Sequence, residues 1–213
     1  MKEFSDEGFY LAGGTGLALL IGHRDSVDFD FFKKDNFNND ELIEKLRVVF
    51  RDHEFKLIMK KKNTVYVEID DGIELSFFTY NYELLKPLVK TEYFDIASIE
   101  DIACMKLSAI SGRAAEKDYV DLHFIMKNFE FKNLIESGLK KFPIINETVI
   151  LKSLASTIDV EEEHIGYKNG NKEVPLEKIR KHFEKEVKNY IRQKQLEVIR
   201  NGKDSGKDRG IGR

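Results

Sequence analysis

The sequence has little cysteine and no long apolar run. Its 213 residues include one cysteine, Cys104, which excludes an intrachain disulfide framework and fits a reducing compartment. A membrane-spanning helix needs about 20 consecutive apolar residues, and no stretch approaches this length. The apolar run from Leu17 to Ile21 is too short for a signal peptide, and acidic residues precede it. We therefore expect a cytoplasmic protein that has no contact with membranes.

A surplus of positive charge is also missing, because the net charge is −3 at pH 7. Overall electrostatics therefore does not indicate a nucleic-acid-binding protein. The charge is uneven, since residues 176–213 hold 12 lysines and arginines against 6 acidic residues and the remainder is acidic. Residues 201–213 contain one large aliphatic side chain, and we predict a disordered basic tail there. This tail is either a solvated terminus or a basic arm that touches nucleic acid.

Hydrophobic periodicity divides the remaining chain into two parts. Residues 1–90 alternate short strands and helices, and Asp71-Gly72 marks a hairpin, so we predict an α/β core there. Residues 91–200 show helical periodicity, and we predict a helical lobe. The predicted strands are 9–12, 26–31, 55–60, 64–69 and 73–79, and the predicted helices are 15–21, 39–51, 98–113, 116–126, 131–141, 146–153 and 175–200.

The residues that indicate chemistry lie between positions 11 and 32. Gly13-Gly14 follows a strand and precedes a helix that Thr15 can cap, so backbone N–H groups and a positive helix end can approach a phosphate. Asp28 and Asp30 alternate along the next strand, which puts both carboxylates on one face, where they can share hard cations. Each feature alone is common. Together they can hold a triphosphate and its magnesium ions in one cleft.

These residues resemble a known family, the AbiEii/AbiGii-type nucleotidyltransferase toxins of the DNA polymerase β-like superfamily. The resemblance is carried by four strings, GGT at 13–15, HRxSxDFDFF at 23–32, DIAxxKL at 101–107 and RxxxKDxxDL at 113–122. It covers residues 9–125. It implies an α+β fold, in which a minimal nucleotidyltransferase core with a mixed sheet joins a C-terminal helical lobe and the site lies between them.

The resemblance also implies an activity, partners and site residues. A Mg²⁺-dependent enzyme, or one using Mn²⁺, would transfer a nucleotide from an NTP to a macromolecule such as RNA, tRNA or protein. Known members are toxins of toxin–antitoxin or phage-defence systems, so a cognate antitoxin is a further expected partner. The implied metal ligands are Asp28 and Asp30. The implied nucleotide-binding residues are Gly13, Gly14, Thr15, Arg24, Lys106 and Lys117, and the implied catalytic residues are Asp28, Asp30, Lys106 and Asp118.

One position departs from the superfamily pattern. Its members place a third acidic residue on the strand after the hairpin, where this sequence has Ser76. Glu74 lies two residues earlier on the same strand face and is a candidate metal ligand, or else a solvent-facing residue. Asp118, from the helical lobe, is the other candidate for the third carboxylate.

Several residues have a structural interpretation beside the functional one. Lys106 either contacts the triphosphate or is a rim lysine with a buried stem. Lys117 and Asp118 alone would indicate an exposed salt-bridge face. Arg24 either binds nucleotide, pairs with an aspartate or fixes the loop, and the histidines show no metal spacing. Phe29, Phe31, Phe77 and Phe78 are predicted to be core residues, not a base-stacking surface.

Three functional hypotheses stay open. The first is the nucleotidyltransferase described above. The second is a degenerate member that binds a nucleotide or a partner without turnover, for which the missing third carboxylate is the motive. The third is a transferase that modifies a small molecule. The intact pairs Gly13-Gly14 and Asp28/Asp30 favour the first.

Overall fold

A computed structural model describes residues 1–113, 115–156, 160 and 163–207. The first 80 residues form a sheet with three helices, and the other described residues form five helices joined by irregular segments. The elements are α1 Lys2–Asp6, β1 Tyr10–Ala12, α2 Gly13–Ile21, β2 Phe29–Lys33, α3 Asn39–Val49, β3 Phe55–Lys61, β4 Thr64–Ile69, β5 Ile73–Thr79, α4 Ile99–Gly112, α5 Glu116–Ile125, α6 Phe131–Lys141, α7 Glu147–Ala155 and α8 Leu176–Lys207.

The sheet is mixed, as expected, with strand order β1-β2-β5-β4-β3. β2 and β5 are parallel, and the other pairs are antiparallel. Asp70 and Asp71 adopt positive φ between β4 and β5, which confirms the predicted hairpin. One sheet face is apolar. Phe31 and Phe77 are buried on this face, and their stacked rings have centroids 5.1 Å apart. The opposite face carries Asp30.

The helical lobe is built around α4, which packs against α2, α5, α6 and α7. Ser98 caps α4 by accepting a hydrogen bond from the Asp101 N–H. The Asp101 carboxylate accepts from Ser98 Oγ, from the backbone N–H groups of Leu85 and Lys86, and from Lys141 Nζ at 2.7 Å. This buried pair therefore ties the irregular chain after β5 to α4 and α6.

Some boundaries differ from the predictions. α2 begins at Gly13 with Ala12 as its N-cap, so Thr15 lies in the first turn and does not cap it. β2 begins at Phe29, because its pairing with β5 starts there, and Asp28 directly precedes the strand. α8 continues to Lys207, into the segment predicted to be a disordered tail, and residues 208–213 lie outside the described ones. No helix in the described part of the chain has the length and apolarity to cross a bilayer.

Candidate active site

A cleft of about 580 Å³ separates the sheet from α4 and α5. Its floor is the polar face of β2 and β5, and its wall is formed by α4, the start of α5 and residues 163–165. Residues 163–171 are held in place by the chain between α2 and β2, since the Gly166 carbonyl accepts from Asp25 N–H and the His23 carbonyl from Lys168 N–H. The predicted site residues that line this cleft are Gly13, Gly14, Arg24, Asp28, Asp30, Glu74, Lys106, Lys117 and Asp118.

Asp28 and Asp30 stand at the floor of the cleft. Asp28 is exposed and Asp30 is half-buried. Within the described chain, neither carboxylate has a hydrogen-bond or ion-pair partner. Burial raises the pKa of Asp30 to about 6, and the neighbouring Asp28 charge adds to this while Lys106 opposes it. Asp30 is therefore a carboxylate whose charge is incompletely compensated.

Gly13 and Gly14 at the start of α2, here called the glycine loop, lie directly against Asp30 and Arg24. Gly13 has φ +66°, and a Cβ on it would lie 2.7 Å from Asp30 Oδ2. A Cβ on Gly14 would lie 2.6 Å from Arg24 Nη2 and 3.0 Å from Ser26 Oγ. Thr15 is buried, and its hydroxyl hydrogen-bonds the Asp28 carbonyl and Ser26 Oγ. The glycines thus permit a close approach, and Thr15 fixes the backbone that carries Asp28.

Behind the cleft, Asp121 pairs with side chains from both lobes, namely His23, Arg24 and Lys106. Its buried carboxylate accepts from His23 Nε2 at 2.7 Å and from Arg24 Nε at 2.6 Å and Nη2 at 2.9 Å. Lys106 Nζ lies 2.7 Å from Asp121 Oδ2. Burial alone would raise the pKa of Asp121, but Lys106 and the hydrogen bonds from His23 and Arg24 hold it below its usual range. The structure therefore pairs Arg24 with an aspartate, which is one of its expected roles.

Lys106 is buried between two carboxylates. Its ammonium lies 2.7 Å from Asp118 Oδ1 as well as from Asp121 Oδ2. Burial lowers the pKa of Lys106, but Asp121 and Asp118 outweigh it and raise the pKa. The ion pair between Lys106 and Asp118 is therefore buried, whereas the sequence had suggested an exposed salt-bridge face at Lys117 and Asp118. Two of the three ammonium N–H groups have partners among the described residues, and Lys106 lines the cleft.

The remaining predicted residues lie nearer the rim. Lys117 pairs with Glu163 at 3.2 Å. Arg113 is exposed, and its Nε lies 3.4 Å from Asp118 Oδ2. Glu74 is exposed on β5, two residues from Ser76, which is the residue in register with Asp30. Ser76 thus stands beside Asp30, at the position where the resemblance led us to expect a third acid.

The residues fit a divalent metal only in part. No group of three or more histidine, cysteine or acidic side chains in the described ranges could hold a metal. Mg²⁺, however, takes one or two carboxylates and completes its shell with substrate phosphates and water. The carboxylates of Asp28 and Asp30, which have no partners among the described residues, could supply this donor set.

Sequence reasoning missed parts of the site. Asp121 stands in the RxxxKDxxDL string, three residues after Asp118 on one face of α5, and this spacing was the available signal. Phe78 was predicted to be core and, with Phe32 and Tyr66, lines the cleft instead. The alternation along β5 contained this information, because Phe78 shares a face with Ser76 and Phe77 does not. No pattern pointed to His164, which lies on the cleft wall.

Comparison with known proteins identifies the family. A 38% identical protein of Aquifex aeolicus (strain VF5), an uncharacterized protein, matches over 192 residues, which is 86% of this chain and 88% of that protein. The toxin MenT4 of Mycobacterium tuberculosis H37Rv has a similar fold, with a TM-score of 0.56, 15% identity, and coverage of 85% of this chain and 75% of MenT4. JHP933 of Helicobacter pylori matches with a TM-score of 0.49 and 16% identity, and the match covers 90% of this chain and 89% of JHP933.

The sequence model of one family, described as "Nucleotidyl transferase AbiEii toxin, Type IV TA system", matches residues 1–197. This match spans the sheet, the cleft and most of the helical lobe. The chain therefore belongs to the AbiEii nucleotidyltransferase toxin family and is a nucleotidyltransferase.

Proposed function

We propose that the protein is a Mg²⁺-dependent enzyme that moves a nucleotide from an NTP to a macromolecular acceptor, either RNA such as tRNA or a protein. We further propose that it is the toxin of a bacterial toxin–antitoxin or phage-defence system with a cognate antitoxin. One observation carries the proposal: the carboxylates of Asp28 and Asp30 have no partner within the described ranges, while Gly13 brings backbone against Asp30. A triphosphate with its metal fits this arrangement.

In the proposed reaction an acceptor hydroxyl attacks the α-phosphorus of the NTP. A new P–O bond forms, the bond to the α–β bridging oxygen breaks, and pyrophosphate leaves with the electron pair while the hydroxyl proton passes to a base. Mg²⁺, when bound, neutralises the charge that develops on the phosphate oxygens. Asp28 and Asp30 would hold it, and the N-terminus of α2 would take the outer phosphates. The cleft would lie between an α/β domain of residues 1–90 and a helical domain of residues 91–200.

Kinetic measurements can distinguish the roles that we propose for Lys106 and Asp118. We assign the third N–H of Lys106 to the NTP phosphates, so Lys106→Ala should mainly raise the NTP dissociation constant. Asp118 either accepts the acceptor's proton through Oδ2, which has no hydrogen bond in the described part of the structure, or keeps Lys106 in place. If Asp118 is the base, Asp118→Asn lowers the rate at saturating NTP; if it only positions Lys106, Asp118→Asn weakens NTP binding as Lys106→Ala does.

The first experiment incubates the protein with labelled NTPs, Mg²⁺ and either total RNA or a bacterial lysate. We expect label on RNA or on protein, and no label with Asp28→Ala. Asp6→Ala on α1 removes a carboxylate outside the cleft and is the matched control. Growth arrest on expression that disappears with Asp30→Ala would link the site to toxicity. No label on any acceptor with every NTP would contradict the proposal.

A second candidate is a member that binds nucleotide without turnover. The observation in its favour is Ser76, which stands in register with Asp30 where a third carboxylate is usual. Mg²⁺-dependent NTP binding without label transfer would support this candidate. Label that moves only to a small acceptor would instead support an enzyme that modifies small molecules.

A further inference from the structure

A smaller cavity lies on the other side of Asp121 from the cleft. It has a volume of about 220 Å³ and is bounded by the C-terminal ends of α2 and α5 and by the start of α4; it is here called the rear cavity. Within the described chain, no residue lines both the rear cavity and the cleft. His23 lines the rear cavity, whereas the next residue, Arg24, lines the cleft. The rear cavity is therefore separate from the site proposed for the NTP.

The rear cavity has apolar walls between two polar ends. His23 forms the inner end, because it is 1% exposed and is the least exposed residue of the lining. Lys127 and Asn128 are exposed and form the mouth. The walls between these ends are mainly two aromatic and three aliphatic side chains, namely Phe124, Phe129, Ile21, Ile99 and Ile125. A ligand that fits this lining has apolar faces and carries polar groups at two opposite edges.

The inner end of the rear cavity offers a hydrogen-bond acceptor. His23 Nε2 lies 2.7 Å from Asp121 Oδ1, and an ionised carboxylate only accepts, so Nε2 carries a proton. In the neutral imidazole Nδ1 is then an acceptor, and it faces away from Asp121 because the two ring nitrogens point in divergent directions. Nδ1 is buried and has no hydrogen-bond partner among the described residues. A buried acceptor without a partner is unfavourable, so this end favours a ligand that brings an N–H group.

The mouth of the rear cavity offers both donors and acceptors. The Lys127 ammonium lies 3.8 Å from the centroid of the Phe124 ring and makes no ion pair with another described residue, so its N–H groups are available to a ligand. Asn171 also lines the cavity and donates to the Lys168 carbonyl, while its own side-chain oxygen accepts no hydrogen bond in the described part of the chain. The outer edge of a ligand can therefore carry acceptors as well as donors.

We propose that the rear cavity binds a nucleobase, one of whose N–H groups donates to His23 Nδ1. A nucleobase has flat apolar faces, which stack on aromatic side chains, and donors and acceptors along its edges. A cavity of about 150 Å³ holds a benzene molecule, so the 220 Å³ of the rear cavity is enough for a somewhat larger ring. The base enters either as the free compound or as part of a nucleotide whose sugar and phosphate extend past Lys127. The proposal does not depend on the transfer reaction.

The test measures binding of adenine, uracil, AMP and UMP to the full chain without Mg²⁺, by calorimetry and by the nitrogen NMR signal of His23 Nδ1. We expect at least one base to bind and to shift this signal. Tighter binding of the nucleotide would identify a nucleotide as the source of the base, and tighter binding of the free base would identify the free compound; both results support the site. Uracil methylated at both ring nitrogens keeps the ring but has no N–H group, and we expect it to bind more weakly than uracil. Binding by none of the four compounds, or a His23 signal that does not move, overturns the proposal.

Variants then locate the binding. His23→Gln keeps an N–H donor for Asp121 but removes the Nδ1 acceptor, and it should weaken base binding roughly fivefold. His53→Gln makes the same change at an exposed histidine outside the rear cavity and is the control. Phe129→Leu removes a ring from the wall, should also weaken binding roughly fivefold, and still decides if His23→Gln fails to fold. Asp30→Ala alters only the cleft and should leave base binding intact. Equal binding by His23→Gln, Phe129→Leu and the wild type, or loss of binding in Asp30→Ala, overturns the rear cavity as the site.

Discussion

At the scale of single residues, the buried carboxylate of Asp121 compensates the charges of Arg24 and Lys106 and accepts a hydrogen bond from His23. Asp121→Asn leaves Arg24 and Lys106 buried with too little negative charge, so we expect the free energy of unfolding to fall by about 3–5 kcal/mol. Asp52→Asn removes a carboxylate from an exposed pair with Arg51 and should cost less than about 1 kcal/mol. Urea unfolding measures both. Similar costs for the two variants would show that the buried cluster is not a stability determinant.

Gly13 is a residue whose conformation and surroundings both exclude a side chain. Gly13→Ala forces a Cβ into a positive φ, at a cost of about 1–2 kcal/mol, and pushes against Asp30. We expect Mg²⁺-dependent NTP binding, followed by calorimetry, to weaken in this variant. Gly112→Ala at the end of α4 is the control, since a Cβ there meets no atom within 4 Å in the described structure. Unchanged NTP affinity in Gly13→Ala would show that the loop is only a turn.

At the scale of elements, one buried pair connects the irregular segment after β5 to the helical lobe. Lys141 and Asp101 are both inaccessible, and Lys141 also donates to the Glu83 carbonyl. Lys141→Met leaves the Asp101 carboxylate buried without its cation, and we expect a loss of about 3–5 kcal/mol. Lys140→Met changes an exposed neighbour on α6 and should be nearly neutral. Thermal or urea unfolding of the two variants decides between them.

The same element shows how far local sequence determines structure. The predicted helix over residues 98–113 was found because helix periodicity and capping depend on residues within a turn or two of each other. The role of Asp101 could not be predicted, because Lys141 stands 40 residues later and meets it only in the packed lobe. Likewise, alternation placed Asp28 and Asp30 on one face, whereas the pairing of Lys106 and Arg24 with Asp121 depends on how α2, α4 and α5 pack. Local periodicity therefore predicted the elements, and tertiary contacts changed the charge environment of the site residues.

At the scale of the whole molecule, α8 is joined to the body by a pair of histidines. His123 Nδ1 and His182 Nδ1 lie 2.9 Å apart. Burial, together with the charges of His182, Lys127 and Lys178, lowers the pKa of His123 to about 4. Since histidine usually titrates near 6.5, the unfolded chain binds a proton between pH 6.5 and 4 that the folded chain does not. The fold is therefore destabilised by this histidine only at low pH: its full stability is present above pH 6.5, and part of it is lost as the pH falls toward 4.

We therefore expect the free energy of unfolding to depend less on pH between 6.5 and 4 in His123→Phe than in the wild type. After a discount for the partly accessible ring, the difference across this window should be about 1–2 kcal/mol. Urea unfolding at several pH values measures it. Taking the difference between the two proteins removes the titration of other groups, such as Asp30. Parallel pH profiles would show that the pair does not titrate on unfolding.

The bond between His23 and Asp121 has a consequence for synthesis on the ribosome. Its two residues are 98 positions apart, so it forms only after a long segment of chain has been made. Contacts of such sequence separation form late in folding because a large loop must close first. A nascent chain therefore carries Gly13, Asp28 and Asp30 well before it can neutralise Arg24. A chain that ends before α5 lacks Asp121, so we expect it to have no transferase activity, and activity can begin only after more than half of the 213 residues have been made.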